Sequence, residues 1–218
     1  MVFEEENENL IEYIKSLGYL KTKKIEEALN KLPRHMFVPE IIGSLAYRDT
    51  PLYIGYRQTI SQPSVVVIMT EALEVEEGQK ILEIGTGSGW QAAILSYLVG
   101  DEGFVYSMEI VKELAKLAKE NIKKFEIENI KIFVKDGSNG LEEKAPFDRI
   151  VVTAGAPSIP NPLVKQLKTG GIMVIPVGNL YLQKMYVVKK TNKGIEKKPI
   201  GNFDFVPLVG KHGFKKTV

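Results

Sequence analysis

Leu10, Ile11, Ile14 and Leu17 recur three and four residues apart, so the chain opens with a predicted helix over residues 4–17. Its acids come early and Lys15 late, as the helix dipole favours, and Gly18 ends it. A second helix follows over residues 22–32, with Ile25, Ala28, Leu29 and Leu32 on one face and Pro33 as its stop. Residues 34–60 keep neither the helical nor the strand period and carry Pro39, Gly43, Pro51 and Gly55, so they read as mostly irregular structure. A loop that long inside a compact domain usually serves function. Residues 65–73 return to a helix, with Ser61 as its cap and Pro63 in its first turn.

From Lys80 the pattern changes to apolar runs alternating with helical stretches: 80–84, 91–99, 104–108, 111–125 and 130–134. Further strands are predicted at 149–153 and 172–176, with a short helix at 163–167 between them. That rhythm predicts an α/β fold with a doubly wound, mainly parallel, Rossmann-like sheet behind the N-terminal helices. Two last runs, 181–190 and 196–205, flank Thr191-Asn192-Lys193-Gly194, whose Asn and Gly suit a turn; they read as an antiparallel C-terminal hairpin.

Composition narrows the classes. With 44% hydrophobic and 26% charged residues in 218, the chain is an ordinary globular domain. Twenty-nine Lys and Arg against 27 Asp and Glu leave a net charge of +2, too small to predict a nucleic-acid partner. Lys189, Lys190, Lys193, Lys197 and Lys198 gather in the hairpin, where lysines guarding a sheet edge explain them. No run approaches the roughly 18 apolar residues of a membrane span, and Glu4, Glu5 and Glu6 are acidic where a signal peptide is basic, so no membrane partner and a cytoplasmic location are expected. There is no cysteine, and His35 and His212 are far apart, so no metal site is expected.

Three strand ends carry the chemistry. Ile84 runs into Gly85-Thr86-Gly87-Ser88-Gly89 before a helix, a place where glycine lets the backbone turn sharply and a ligand approach the main chain. The spacing is Gly-x-Gly-x-Gly, not the Gly-x-Gly-x-x-Gly of dinucleotide enzymes, which favours S-adenosylmethionine over a nicotinamide. Glu109 ends the next strand, about 20 residues on, where a carboxylate can accept from both ribose hydroxyls; a solvated cap is the competing role. Asp136-Gly137 ends the third, where Asp can accept from an adenine amino group, against a simple Asx turn. Glu83 either caps the turn or lies near the methionine amino group.

Beyond this half, the chain resembles the protein-L-isoaspartate O-methyltransferase family, among the class I methyltransferases. The segments are Pro33-Arg34-His35-x-Phe37-Val38-Pro39, Ala46-Tyr47-x-Asp49-x-Pro51-Leu52, Gln58-Thr59-Ile60-Ser61-Gln62-Pro63, Leu82 to Trp90, Phe147-Asp148-x-Ile150-x-Val152-Thr153-Ala154-Gly155-Ala156, Leu167-Lys168-x-Gly170-Gly171 with Ile175-Pro176-Val177-Gly178, and Phe205-Val206-Pro207-Leu208-x-Gly210. They span nearly the whole chain, and the Thr59 to Pro63 and Val206 to Leu208 segments are the most specific to the family. At two positions the chain departs from it: Ser64 stands where the family commonly has histidine, and Gln62 where a small residue is usual.

The resemblance implies methyl transfer from S-adenosylmethionine, leaving S-adenosylhomocysteine, to the α-carboxylate of L-isoaspartyl residues in damaged proteins and peptides. The ester then closes to a succinimide, whose hydrolysis restores some ordinary aspartate. It further implies an active-site role for Ser61, with Thr59 and Ile60 forming its loop. Thr153, Ala154 and Gly155 would lie beside the methyl group, and Val206, Pro207 and Leu208 would wall the peptide groove. His35 reads as structural and Trp90 as core or a wall beside adenine. The implied division is a single domain: 1–75 a helical cap with the substrate loop, 76–178 the cofactor-binding core, 179–218 the C-terminal strands and substrate-side tail. Another class I methyltransferase acting on RNA or a small molecule would share every cofactor residue. A nicotinamide dehydrogenase, or a module that binds S-adenosylmethionine or peptide without turnover, is the remaining alternative.

Overall fold

The structure is a computed structural model that describes residues 2–215. Two helices, α1 (Val2–Ser16) and α2 (Lys23–Lys31), lead into short 3-10 turns at Arg34–Phe37 and Glu40–Leu45. A small antiparallel pair follows, β1 (Leu52–Gly55) and β2 (Gln58–Ile60), then helix α3 (Pro63–Leu73). The alternating part comprises β3 (Lys80–Ile84), α4 (Trp90–Val99), β4 (Phe104–Glu109), α5 (Lys112–Lys123), β5 (Ile130–Val134), β6 (Phe147–Val152), α6 (Asn161–Gln166) and β7 (Leu167–Gly178). Strands β8 (Gln183–Thr191) and β9 (Gly194–Phe203) complete the chain's elements.

Seven strands form one sheet in the order β5-β4-β3-β6-β7-β8-β9. The five strands from β5 to β7 run parallel, β8 adds antiparallel to β7, and β9 adds antiparallel to β8. The expected α/β doubly wound fold and the C-terminal hairpin are therefore present, with the hairpin continuing the main sheet. Ile81, Leu82 and Ile84 of β3 and Ile150, Val151 and Val152 of β6 are buried, as central parallel strands covered on both faces require. The order of connection reverses at β3, with β4 on one side and β6 on the other. Open α/β sheets bind ligands at such a reversal, beyond the carboxyl ends of the strands.

Helix α4 is buried on nearly every side, Tyr97 excepted, because it lies between the sheet and the N-terminal helices. Ile94 and Leu95 are wholly enclosed, each burial contributing about 1.5–3 kcal/mol. Leu10, Ile14, Ile25 and Leu29 pack over it, and Trp90 Nε1 donates to the Leu32 carbonyl at 2.8 Å, locking the end of α2 to the start of α4. The end of α3 is tied to the sheet by Arg149, whose Nη2 donates to the Glu74 carbonyl at 2.8 Å and so satisfies one of the helix's spare acceptors.

Two local expectations need correction. The stretch 34–60 contains a strand pair, β1 with β2, that its mixed pattern hid; only Ile54 and Ile60 of it are buried, so no alternation was visible. Ser61 is not the cap of α3. The helix starts at Pro63 with Gln62 in the cap position, and neither side chain caps it. Asp49, remote in sequence, does so instead: its Oδ1 accepts from the Ser64 backbone N–H at 2.8 Å.

Candidate active site

The glycine turn is built by its backbone. Gly85, Gly87 and Gly89 all have positive φ, at 96°, 55° and 93°. A methyl group on Gly85 would run into Thr153 Oγ1, which donates to the Gly85 carbonyl at 2.6 Å, so the turn stays hard against the end of β6. Gly89 serves packing: a Cβ there would sit 3.2 Å from that of Ala118, so glycine lets α4 approach α5 closely.

Glu109 closes the turn from the next strand. Its Oε2 accepts from the Gly87 N–H and its Oε1 from the Val111 N–H, both at 2.9 Å. Burial raises its pKa, and these two N–H donors work against that rise. With the Ile110 N–H also facing the carboxylate, at most three backbone donors meet its roughly four acceptor positions, so it keeps room to accept from a ligand hydroxyl.

Glu83 lies beneath the turn, fully buried, and does not line the cavity. It accepts from Ser107 Oγ, which meets Thr86 Oγ1 at 2.6 Å. Burial pushes its carboxyl up to about 8, against the Ser107 hydrogen bond and helped by the negative charge of Glu109. The native chain therefore holds a proton that the unfolded chain releases near 4.5, and this contribution to stability is complete below that pH and lost as pH rises through about 8. Glu83→Gln removes the titration, so we expect the variant to gain thermal stability relative to the parent between pH 5 and pH 9. Parallel melting curves across that range would contradict the assignment.

Asp136 forms the Asx turn rather than facing the cavity. Its oxygens accept from Ser138 N–H, Asn139 Nδ2 and the Lys211 N–H at 2.9, 2.9 and 2.8 Å. Burial opposes ionisation there, but the Lys211 and Ser138 donors hold the carboxyl below its ordinary value. Its neighbour Gly137 does line the cavity, and a Cβ there would meet Ile84 Cγ2 at 2.5 Å.

One cavity gathers the remaining groups at the tips of β3, β4 and β6. It holds about 940 Å³ of open space, its mouth included, and is walled by Gly85, Thr86, Gly87, Ser88, Glu109 and Gly137 on one side. Thr59, Ile60, Ser61, Thr153, Ala154, Val206, Pro207 and Leu208 face them. Gly155 does not line it but fastens the tail, donating to the Val206 carbonyl at 2.8 Å and accepting from the Leu208 N–H at 2.7 Å. Of the sequence-derived site residues, Glu83, Gly89, Asp136 and Gly155 thus stand behind the wall rather than on it.

The segment bearing Ser61 is held by residues that sequence reasoning assigned no part in the site. Arg34 is fully enclosed, and its Nη2 donates to the carbonyls of Ser61 and Thr50, each at 3.0 Å, while Nη1 donates to Ala46 at 2.6 Å. Burial lowers its pKa to about 10, with the charge of Asp49 opposing the fall, so it remains a cation at neutral pH. The two departures from the family pattern answer one another: Gln62 Nε2 donates to Asp49 Oδ2 and to Ser64 Oγ, both at 3.0 Å. His35 is structural, with Nδ1 2.5 Å from the Tyr47 hydroxyl and its ring stacked on Phe3. Among the described residues no three His, Cys, Asp or Glu are grouped to hold a metal ion, and no helix is long and apolar enough to cross a membrane.

A parallel sheet ending in an antiparallel strand, with a cavity between a glycine turn and an acid on the adjoining strand, defines a Rossmann-like methyltransferase fold. The profile of the protein-L-isoaspartate(D-aspartate) O-methyltransferase family matches residues 5–213, and the chain belongs to that family. It is 48% identical over 217 residues to a protein-L-isoaspartate O-methyltransferase of Methanopyrus kandleri, covering 99% of this chain and 96% of that one. A second relative, protein-L-isoaspartate O-methyltransferase 1 of Archaeoglobus fulgidus, is 49% identical over 215 residues, 99% of this chain and 98% of that one. Among solved structures, a protein-L-isoaspartate O-methyltransferase superposes with a TM-score of 0.85 at 31% identity, over 95% of this chain and 67% of the other. A Plasmodium falciparum protein assigned to the same family, in complex with S-adenosyl-L-homocysteine, gives 0.81 at 29% identity, over 92% and 97%.

Proposed function

We propose that this chain transfers a methyl group from S-adenosylmethionine to the α-carboxylate of L-isoaspartyl residues in damaged proteins and peptides. The observation that carries the reading is the meeting, on one cavity, of the glycine turn and Glu109 with the Ser61 segment and Val206 to Leu208. A donor site alone would suit any methyltransferase of this class, including one acting on RNA or a small molecule. The acceptor side, in a chain that matches the isoaspartyl family over residues 5–213, supports the protein substrate.

The residues fit the donor. Glu109 has lone pairs to spare for a ribose, and the glycines leave the main chain open to close approach. S-adenosylmethionine supplies a methyl group on a positively charged sulfur, activated toward any nucleophile placed in line with it. An α-carboxylate is already ionised at neutral pH, so no residue here has to remove a proton first. The chain's work is orientation. Fixing carboxylate and methyl carbon at near-attack distance replaces a bimolecular encounter with a single bound geometry. Ser61 is suited to hold the acceptor: its carbonyl is fixed by Arg34, and its hydroxyl makes no hydrogen bond among the described residues.

The test offers a peptide carrying isoaspartate and its ordinary aspartate isomer, and follows base-labile methyl ester. Labelling of the first alone is expected, and equal labelling of both would dismiss the reading. Ser61→Ala should lower turnover about 10-fold or more, the value of one hydrogen bond to a charged acceptor. Its affinity for S-adenosylmethionine in calorimetry should stay near that of the parent. Undiminished turnover would remove Ser61 from the mechanism.

A further inference from the structure

Beside the reactive cavity lies a second one, and the two share Thr59, Ser61, Thr153 and Val206 as a common wall. A polypeptide that enters the first cavity across that wall carries the residues flanking its isoaspartate over the second. Among the described residues that line it, Asp204 carries the single ionisable side chain.

Asp204 is held in place by its neighbours. The Phe205 N–H donates to Gln183 Oε1 at 2.8 Å, and the rings of Phe203 and Phe205 meet edge to face at 6.4 Å while packing on the core. Asp204, between them, is exposed and forms no hydrogen bond or ion pair among the described residues. Lys184, which stands opposite Asn202 on β8, forms no ion pair with it among the described residues. A fixed negative charge without a partner thus borders the path of the substrate chain.

We propose that Asp204 is a specificity-determining residue that favours isoaspartyl substrates with Lys or Arg flanking the damaged residue and disfavours those flanked by Asp or Glu. The inference rests on the isoaspartyl reading above. An exposed charge acts weakly but with a definite sign, and salt screens it.

The experiment compares two isoaspartyl peptides that differ only in Lys or Glu beside the isoaspartate, on either side of it. Two readouts are taken: kcat/KM for methylation, and the Kd of each fluorescently labelled peptide by anisotropy with S-adenosylhomocysteine present. The parent should prefer the lysine peptide about fivefold at low salt, and the preference should shrink toward unity at 0.5 M salt, where screening sets in within about 4 Å. Asp204→Asn should bring the ratio near one and Asp204→Lys should invert it. Each ratio is internal to one variant, so a partly misfolded preparation does not alter it. Equal use of both peptides by the parent, or a preference that survives Asp204→Asn, overturns the proposal. If neither peptide is methylated, the isoaspartyl reading fails, while the ratio of Kd values still decides the role of Asp204.

Discussion

Replacing Arg34 with Met should lower the melting temperature by roughly 10 °C and depress methyl transfer far more than cofactor affinity. The cause is the number of groups that lose their partner together. The guanidinium is wholly enclosed and serves the carbonyls of Ala46, Thr50 and Ser61, with Arg48 a weaker fourth at 3.5 Å. Methionine fills similar space but donates nothing, and each buried acceptor left alone costs about 1–3 kcal/mol. Part of that cost is recovered if the segment shifts to reach water, and such a shift moves Ser61. Arg34→Lys keeps the charge without the planar fork, so it should recover some stability but little turnover. The check is thermal unfolding, with calorimetry for S-adenosylhomocysteine and single-turnover methylation well below the midpoint. A methionine variant that melts and reacts like the parent would show that the segment is positioned by other contacts.

How much of this was legible in the sequence depends on whether the information was local. The parallel core was, because strands such as Lys80–Ile84 and Phe147–Val152 are buried on both faces and read as apolar runs between helical stretches. The glycine turn was as well, since positive φ at Gly85 and Gly87 makes a demand that few residues other than glycine meet. What escaped was long range. Asp49 caps a helix that begins 14 residues later, and no rule of spacing joins an acid in an irregular loop to the first turn of α3. Arg34 gave one usable signal, an arginine in a largely apolar motif, but a charge in a sequence is more often solvated than enclosed. Asp136 was legible only in part. Its place at a strand tip suggested a ligand, whereas Ser138 and Asn139, two and three residues on, supply the partners of an Asx turn. Lys211, which completes its shell, comes from the tail, and only the fold brings it there.

Changing Glu109 to Ala should reduce affinity for S-adenosylhomocysteine at least 100-fold, the second large effect expected of this chain. If Glu109 accepts from both ribose hydroxyls, two hydrogen bonds to a carboxylate are lost together, each worth about 1.5–3 kcal/mol. The turn suffers too, because the Gly87 and Val111 N–H groups lose the acceptors that hold them at 2.9 Å. Glu109→Gln is not a mild alternative. An amide offers one oxygen where the turn needs two, so its NH₂ must face a backbone N–H, donor against donor. The ribose contribution can be separated from the turn's by repeating the titration with an analogue lacking the ribose hydroxyls. The parent should bind that analogue much more weakly than S-adenosylhomocysteine, whereas Glu109→Ala should bind the two alike, a coupling that only direct contact produces. If the variant still discriminates between them as the parent does, the hydroxyls meet some other group and Glu109 serves the turn alone.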